Sequence, residues 1–323
     1  MCDFLSLGEL LIDFTPSNLS TKNRYLFERN PGGAPANVAV QLSILGVSSG
    51  FIGKVGNDDF GRFLKNTLDS FNVSTEGLIL DDDFLTTLAF VHLDKSGDRS
   101  FTFYRNPGAD TQLRYQEVDF DLINKCKILH FGSLSLSAEP IRTTTIKILE
   151  YAKSTGKIIS YDPNWRPPLW PSREDGVEGM KLGLKYCDII KVSNDELMMT
   201  TGCENYEAGI SKLLNMGIQI VLVTLGPNGC YVGSRDGIAH LNTYDVNIVD
   251  TTGSGDSFLG SFLYKVISNH KQLKEISFNK LMEYADFSNA AGALCASKTG
   301  SIPSLPNIDA IHKCIERFPK KKI

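Results

Sequence analysis

What this 323-residue chain does not contain narrows its class first. No run approaches 18 apolar residues, so no membrane-spanning helix is expected. The opening Met1-Cys2-Asp3-Phe4-Leu5 lacks the basic and apolar stretches of a secretory leader, and a cytoplasmic protein is the expectation. A basic excess is also missing: 33 Lys and Arg stand against 37 Asp and Glu, a net charge of −4, which gives nucleic acid no surface to bind. The seven cysteines (Cys2, Cys126, Cys187, Cys203, Cys230, Cys295 and Cys314) are odd in number and never spaced Cys-x-x-Cys. That argues against a disulfide framework or a zinc site and for buried thiols. None of the five histidines adjoins a Ser or Cys nucleophile signature, and the Gly-x4-Gly-Lys-Ser/Thr phosphate loop is absent. No repeat or linker divides the chain. With 42% hydrophobic and 22% charged residues, disordered and fibrous classes are excluded.

What is present centres on Asp250-Thr251-Thr252-Gly253-Ser254-Gly255-Asp256-Ser257-Phe258. Residues 238–249 before it read as extended chain and 258–266 after it as helix. The stretch is therefore a glycine-rich helix start, whose unpaired N–H groups and positive dipole end suit a phosphate or an oxyanion. Asp256 is a carboxylate where an anion should sit. It either decorates the helix's first turn or serves as the base that a phosphoryl-transfer site needs beside its anion hole.

The rest alternates strands and helices. Residues 4–14 suit one buried strand carrying Glu9 and Asp13 at its end, where open α/β sheets place ligand groups; capping a turn would explain Asp13 equally. An extended piece is expected at 24–29. Asn30-Pro31-Gly32-Gly33-Ala34-Pro35-Ala36-Asn37 leads into a helix from Pro35. Strand, turn and helix start follow at 51–62, with Asp58 and Asp59 as capping residues. Residues 86–93 and 100–105 read as an antiparallel hairpin turning at 94–99, in a separate layer. Strands return at 128–132, 158–162, 189–192 and 220–224, a spacing of about 30 residues that predicts a doubly wound α/β fold. Asp81-Asp82-Asp83 and Lys320-Lys321-Lys322 read as solvated surface.

Several strand ends carry polar groups. Asp162-Pro163-Asn164-Trp165-Arg166 follows a buried strand, and Arg166 could merely stack on Trp165. Lys191-Val192-Ser193-Asn194-Asp195-Glu196 has the spacing of a capping box between Ser193 and Glu196. Thr224-Leu225-Gly226-Pro227-Asn228-Gly229 is a strand ending in a glycine turn. Phe287-Ser288-Asn289-Ala290-Ala291-Gly292 is a small-residue helix, suited to a flat base or to close helix packing.

The nonapeptide at 250–258 resembles the second signature of the ribokinase-like (PfkB) sugar kinases, and Gly32-Gly33 with Asn37 resembles the first. Asp162-Pro163-Asn164-x-Arg166 and Phe103-Tyr104-Arg105-Asn106-Pro107-Gly108-Ala109-Asp110 are similar to the fructokinase branch. The resemblance implies one α/β domain over 1–323, ribokinase-like and doubly wound. It has a mostly parallel central sheet flanked by helices, a small β-sheet lid from about 13–30 and 84–107, and a nucleotide-binding half at about 185–323. It implies ATP-dependent phosphorylation of a sugar, with fructose to fructose 6-phosphate first and ribose, 2-keto-3-deoxygluconate or a nucleoside as alternatives. A non-catalytic sugar-binding relative is disfavoured by the intact glycines and Asp256.

By the same resemblance Asp256 is the base, Gly253, Ser254, Gly255 and Asp256 give the anion hole, and Arg166 meets the transferred phosphate. Asp13, Gly32, Gly33, Asn37, Arg105, Arg166 and Asp256 hold the sugar. Lys191, Ser193, Glu196, Thr224, Gly226, Gly229, Gly253, Gly255 and Asn289 face ATP, with Glu196 reaching Mg²⁺ through water. A K⁺ site, as in some relatives, implies Asp250, Thr252, Ala296, Thr299 and Ser304. The partners implied are a small sugar and ATP, with no nucleic acid or membrane, and a homodimer through the lid sheet.

Overall fold

The computed structural model describes residues 2–17, 19–21, 23–93 and 99–322. The hairpin turn expected at 94–99 falls outside these residues except for Arg99.

The strands are β1 (Phe4–Leu7), β2 (Leu11–Pro16), β3 (Phe27–Gly32), β4 (Ser49–Gly56), β5 (Val73–Asp81), β6 (Leu88–Leu93), β7 (Arg99–Tyr104), β8 (Ile128–Gly132), β9 (Ile158–Asp162), β10 (Ile189–Ser193), β11 (Ile220–Thr224), β12 (Cys230–Ser234) and β13 (Gly237–Leu241). Nine of them form one sheet in the order β13-β12-β11-β10-β9-β8-β1-β4-β5, and four form a second in the order β3-β2-β6-β7. The large sheet is parallel from β5 to β11 and antiparallel at β12 and β13. The α/β expectation is met, and four of the strand positions, at 128–132, 158–162, 189–193 and 220–224, fall where the apolar runs put them.

Helices α1 (Ala34–Ile44), α2 (Asp59–Ser70), α3 (Phe120–Lys125), α4 (Ile141–Ser154), α5 (Arg173–Leu184), α6 (Asn194–Thr201), α7 (Tyr206–Asn215), α8 (Ser254–Ser268), α9 (Phe278–Ala296) and α10 (Ile308–Arg317) fill the connections. Phe4, Phe51, Val38, Leu42, Phe262 and Leu263 belong to one core cluster, which joins the sheet to α1 and α8; Leu7, Leu129, Ile159, Tyr161 and Val192 belong to another. Burying such side chains contributes about 1.5–3 kcal/mol each. Gly260 lets α8 approach α1, since a Cβ there would lie 2.8 Å from the Gln41 side chain. Asp58 caps α2 by accepting from the Gly61 N–H at 2.8 Å. Among the described residues no helix is long and apolar enough to cross a membrane.

Four expectations need correction. The single strand expected at 4–14 is two, because the chain leaves the large sheet at Gly8, where a Cβ would sit 2.5 Å from Pro35. Asp13 therefore rides on the small sheet, not on a central strand. The extended piece expected at 24–29 lies at Phe27–Gly32, paired with β2. The stretch 238–249 is extended only to Leu241.

The two charge runs, finally, are not plain surface. Asp81 ends β5 and accepts from the buried Lys54 ammonium at 2.8 Å, alongside Glu117 at 2.7 Å. Lys320 pairs with Asp286, and a β-bridge joins Lys320 to Tyr244.

Candidate active site

The C-terminal ends of β9, β10 and β11 and the N-termini of α1 and α8 converge on two adjoining cavities. One, of about 460 Å³, is lined by Asp13, Gly33, Asn37, Arg166, Lys191, Glu196, Gly253 and Asp256 among others. The other, of about 260 Å³, is lined by Thr224, Gly226, Gly229, Ser254, Asn289, Ala293 and Ala296 among others. Thr251 and Gly255 line both. A strand-end cleft of this kind is where open α/β sheets bind ligands.

The α8 start is shaped by Gly253, held at φ +78° with no side-chain cap. A Cβ at Gly253 would lie 2.4 Å from Ser301 Oγ, so both conformation and space demand glycine. The Ser254 N–H donates to the Thr251 carbonyl at 3.2 Å, and Ser257 N–H closes the first helical bond to Gly253 at 2.8 Å. The first correction in the site follows: Ser254's amide is already used, which leaves Gly253, Gly255 and Asp256 to meet an anion.

Asp256 occupies the third helical position and is 6% exposed. Its Oδ2 accepts from Asn37 Nδ2 at 2.7 Å, which fixes one carboxylate oxygen across the α1–α8 contact. Burial pushes its pKa up to about 6 against the opposing pull of Lys191, with Asp162 adding to the rise. Burial likewise pushes Asp13 up to about 7, partly offset by Arg166 and reinforced by Asp256 and Asp250. A base poised near neutrality is what proton transfer asks for. Gly32 makes room for Asp13, because a Cβ there would fall 2.1 Å from Asp13 Oδ2; Gly33, at φ +114°, would clash with the Glu9 carbonyl at 2.3 Å. In β2, alternation turns Leu11 and Asp13 toward the cleft.

Lys191 is buried and bound to Asp162 Oδ2 at 2.6 Å. Although burial works against its charge, Asp162, Glu196 and Asp256 hold its ammonium above the ordinary value. It passes close to Gly255, where a Cβ would stand 3.0 Å from Nζ. Ser193 and Glu196 form the expected capping box around the start of α6. Glu196 Oε2 accepts from Ser193 N–H and Oε1 from Trp165 N–H, both at 2.7 Å. Each oxygen keeps a lone pair, so this cleft-lining carboxylate fits a hydrated divalent cation better than a directly bound one.

Arg166 lines the cleft and donates to the Trp165 carbonyl at 2.9 Å. Arg105 does not line it. Its guanidinium is held by Asp110 at 2.7 and 2.8 Å and by Ser137 Oγ at 3.1 Å, and its charge acts on Glu9, which does line the cleft.

In the smaller cavity Gly229, at φ +86°, has the Leu241 carbonyl 2.0 Å from where a Cβ would be, and Asn289 Nδ2 reaches the same carbonyl at 3.4 Å. The cation set is drawn together but largely self-satisfied. Asp250 accepts from Thr252 and Gly300 N–H groups at 2.8 and 3.0 Å. The Ala296 carbonyl accepts two N–H groups, from Val249 and Asp250, which makes it the least suited of the five to a cation as arranged. Thr299's carbonyl accepts from Ser304 Oγ at 2.9 Å.

Two residues have partners that their local stretches do not show. Asp162 acts through Lys191, 29 positions away, and nothing local marks the pair. Glu9 is buried, accepts from the Ala34 N–H at 3.2 Å at the start of α1, and is pushed by burial up to about 7; its place at a strand end is legible in the sequence, its contact with α1 is not.

The profile of the pfkB family carbohydrate kinases matches residues 1–308. The Arabidopsis thaliana protein named "Probable fructokinase-6, chloroplastic" is 44% identical over 312 residues, 95% of this chain and 81% of that protein. Among solved structures, a fructokinase from Xylella fastidiosa with bound ATP superposes with a TM-score of 0.90 at 30% identity, covering 97% of this chain and 98% of that one. A double-mutant fructokinase from Vibrio cholerae O395, with fructose, ADP and potassium bound, gives 0.87 at 32% identity over 97% and 98%. With a fold, a cleft and a sequence profile that agree over nearly its whole length, the chain belongs to the pfkB family of carbohydrate kinases.

Proposed function

We propose that the chain is an ATP-dependent fructokinase that moves the γ-phosphoryl group of ATP to the 6-hydroxyl of D-fructose. The observation that carries this reading is the shared wall of the two cavities. Thr251 and Gly255 line both, so a sugar beside Asp13 and Asn37 and a nucleotide beside Asn289 meet at the α8 N-terminus. The bound fructose and ADP of the Vibrio cholerae structure favour these ligands here.

Asp256 takes the proton from the attacking 6-hydroxyl. The oxygen then bonds to the γ-phosphorus as the bond to the bridging oxygen of ADP breaks. Gly253, Gly255 and Asp256 N–H groups and the α8 dipole meet the charge on the transferred group; one such donor is worth roughly 3 kcal/mol. Arg166 and Lys191 add positive charge, Lys191 while held by Asp162. Asp13 and Asn37 orient the sugar. Glu196 is the residue that would hold a hydrated Mg²⁺, which when bound would supply charge neutralisation for the ATP phosphates. The 250–252 and 296–304 loops would hold K⁺ once their present hydrogen bonds open, a reading favoured by the potassium of the Vibrio cholerae structure, with no step assigned to it.

We read residues 1–323 as one domain, with 185–323 giving the nucleotide side and the small sheet closing over the sugar. That sheet's outer aromatics, Phe14, Phe27, Phe90 and Tyr104, pack together with centroids 4.9–5.6 Å apart, yet Tyr25 and Tyr104 are 81% and 65% exposed. A homodimer through this face would cover them.

A panel of sugars in a coupled ADP-release assay tests the reading. Fructose is expected to give the highest kcat/KM; a higher value for ribose, 2-keto-3-deoxygluconate or adenosine would replace fructose as the acceptor.

The raised carboxylates give a second expectation, on pH. Asp256 must be ionised to act, so kcat/KM should fall as pH drops through about 6. Stability should move oppositely. Glu9, Asp13 and Asp256 hold protons in the folded state up to about pH 6–7 but only to about 4 when unfolded. Their contribution is therefore fully present below about pH 4 and is lost as pH rises through 6–7. Melting curves and initial rates from pH 5 to 8 would show the two trends crossing.

A further inference from the structure

The segment after α10 was read from sequence as solvated surface, but it is tied down along the smaller cavity. The Asp245 N–H donates to the Pro319 carbonyl at 2.9 Å and the Lys321 N–H to the Thr243 carbonyl at 2.8 Å, on either side of the Tyr244–Lys320 bridge. Lys320 pairs with Asp286, which also accepts from the Tyr244 hydroxyl at 3.1 Å, and its ammonium lies 5.2 Å from the Tyr244 ring centroid. Residues 319–321 are thus strapped to the loop that walls the cavity.

Within the strap the lysines differ. Lys320 is neutralised by Asp286, whereas Lys321 is one of the residues lining the cavity, and its side chain makes no ion pair or hydrogen bond among the described residues. The cavity is otherwise apolar over Pro227, Val246, Ile248, Phe258 and Ala293. A lysine without a protein partner, anchored by its backbone at such a wall, has the reach to donate to a ligand in the cavity.

Which part of the ligand follows from the corner it occupies. Lys321 is joined to Thr243, and Gly229 and Asn289 crowd the adjacent Leu241 carbonyl and Thr243 amide. The anion-binding amides of Gly255 and Asp256 lie on the wall shared with the other cavity.

We propose that Lys321, presented by the 319–321 strap, is a nucleotide-binding residue that donates to an acceptor atom of the nucleoside, on the base or ribose, and not to the phosphates. This rests on reading the smaller cavity as the nucleotide site. The contact adds a charged donor to an end that otherwise offers Asn289 and backbone groups.

The test uses the full chain, unaltered and as Lys321→Met, which keeps the aliphatic stem, with Lys321→Arg as the conservative control. Calorimetric titrations with Mg·ADP and with adenosine should show Lys321→Met weakening both by the same factor, about three- to tenfold for one charge-assisted hydrogen bond at a partly exposed site. The KM for ATP should rise while the KM for the sugar stays put, and Lys321→Arg should restore most of the loss. Unchanged affinity in Lys321→Met overturns the proposal, and so does a loss seen with ADP but not with adenosine, which would put the contact on the phosphates. If the unaltered chain binds neither ligand, the reading of the cavity as a nucleotide site fails instead.

Discussion

Asp256→Asn should lower kcat by about 10²–10⁴-fold, the range for removing a positioned base, while KM values for ATP and fructose change by only a few-fold. The substitution is nearly isosteric, and the new amide can offer its oxygen to Asn37 Nδ2, which now donates to Asp256 at 2.7 Å. The α1–α8 contact therefore survives and the fold with it. At about 1.4 kcal/mol per tenfold, the loss amounts to roughly 3–5 kcal/mol of transition-state stabilisation. A variant keeping more than a tenth of normal turnover would leave Asp256 as a first-turn helix residue and nothing more. Rates for the two proteins at saturating substrate decide it.

Asp162→Asn should produce the largest loss of stability. It removes the charge that holds Lys191 at 2.6 Å in a site where the two side chains are 1% and 7% exposed. Breaking one side of a buried pair costs about 3–5 kcal/mol, because the remaining charge is stranded. Lys191 borders the cleft and has Glu196 and Asp256 nearby, which favours the lower end, about 3 kcal/mol. For a chain of this size that is about 4–5 °C in Tm. Asp162→Asn combined with Lys191→Met should recover most of the loss, since no charge is then left without a partner. Thermal melts of the single and double variants measure this directly, and additive losses would contradict the pairing.

How much of this was legible in the sequence varies with the range of the interaction. Strands at 128–132, 158–162, 189–193 and 220–224 are short apolar runs buried on both faces, and local composition suffices to place them. The capping box at Ser193 and Glu196 and the Asp58 cap on Gly61 are likewise local, each made by residues within one helical turn. The division of residues 4–14 between two sheets is not, because it depends on Gly8 meeting Pro35. The Asp81 carboxylate looked like surface because its partner, Lys54, stands 27 positions earlier on the neighbouring strand. The motif around Arg105 includes Asp110 but does not show that the two side chains pair. The strap at 319–321 was illegible because its contacts, Thr243, Asp245 and Asp286, are all distant in the chain.

The site follows the same division. Motif spacing supplied Asp256, the glycines around it, Asn37 and Arg166. Their mutual geometry comes from packing: Gly32 admits Asp13, Gly255 admits Lys191, and Gly260 brings α8 against α1. The raised pKa values of Asp13 and Asp256 arise from that enclosure, and no composition of a short stretch contains it.

The most direct test is to incubate the unaltered chain with Mg·ATP and ¹³C-labelled D-fructose, and to identify the product by phosphorus–carbon coupling in its NMR spectrum. The account predicts one ADP released for each fructose consumed, with the phosphate on the 6-oxygen, and no such product from Asp256→Asn over the same time. ADP release without a phosphorylated sugar, or a phosphate on another oxygen, would contradict it.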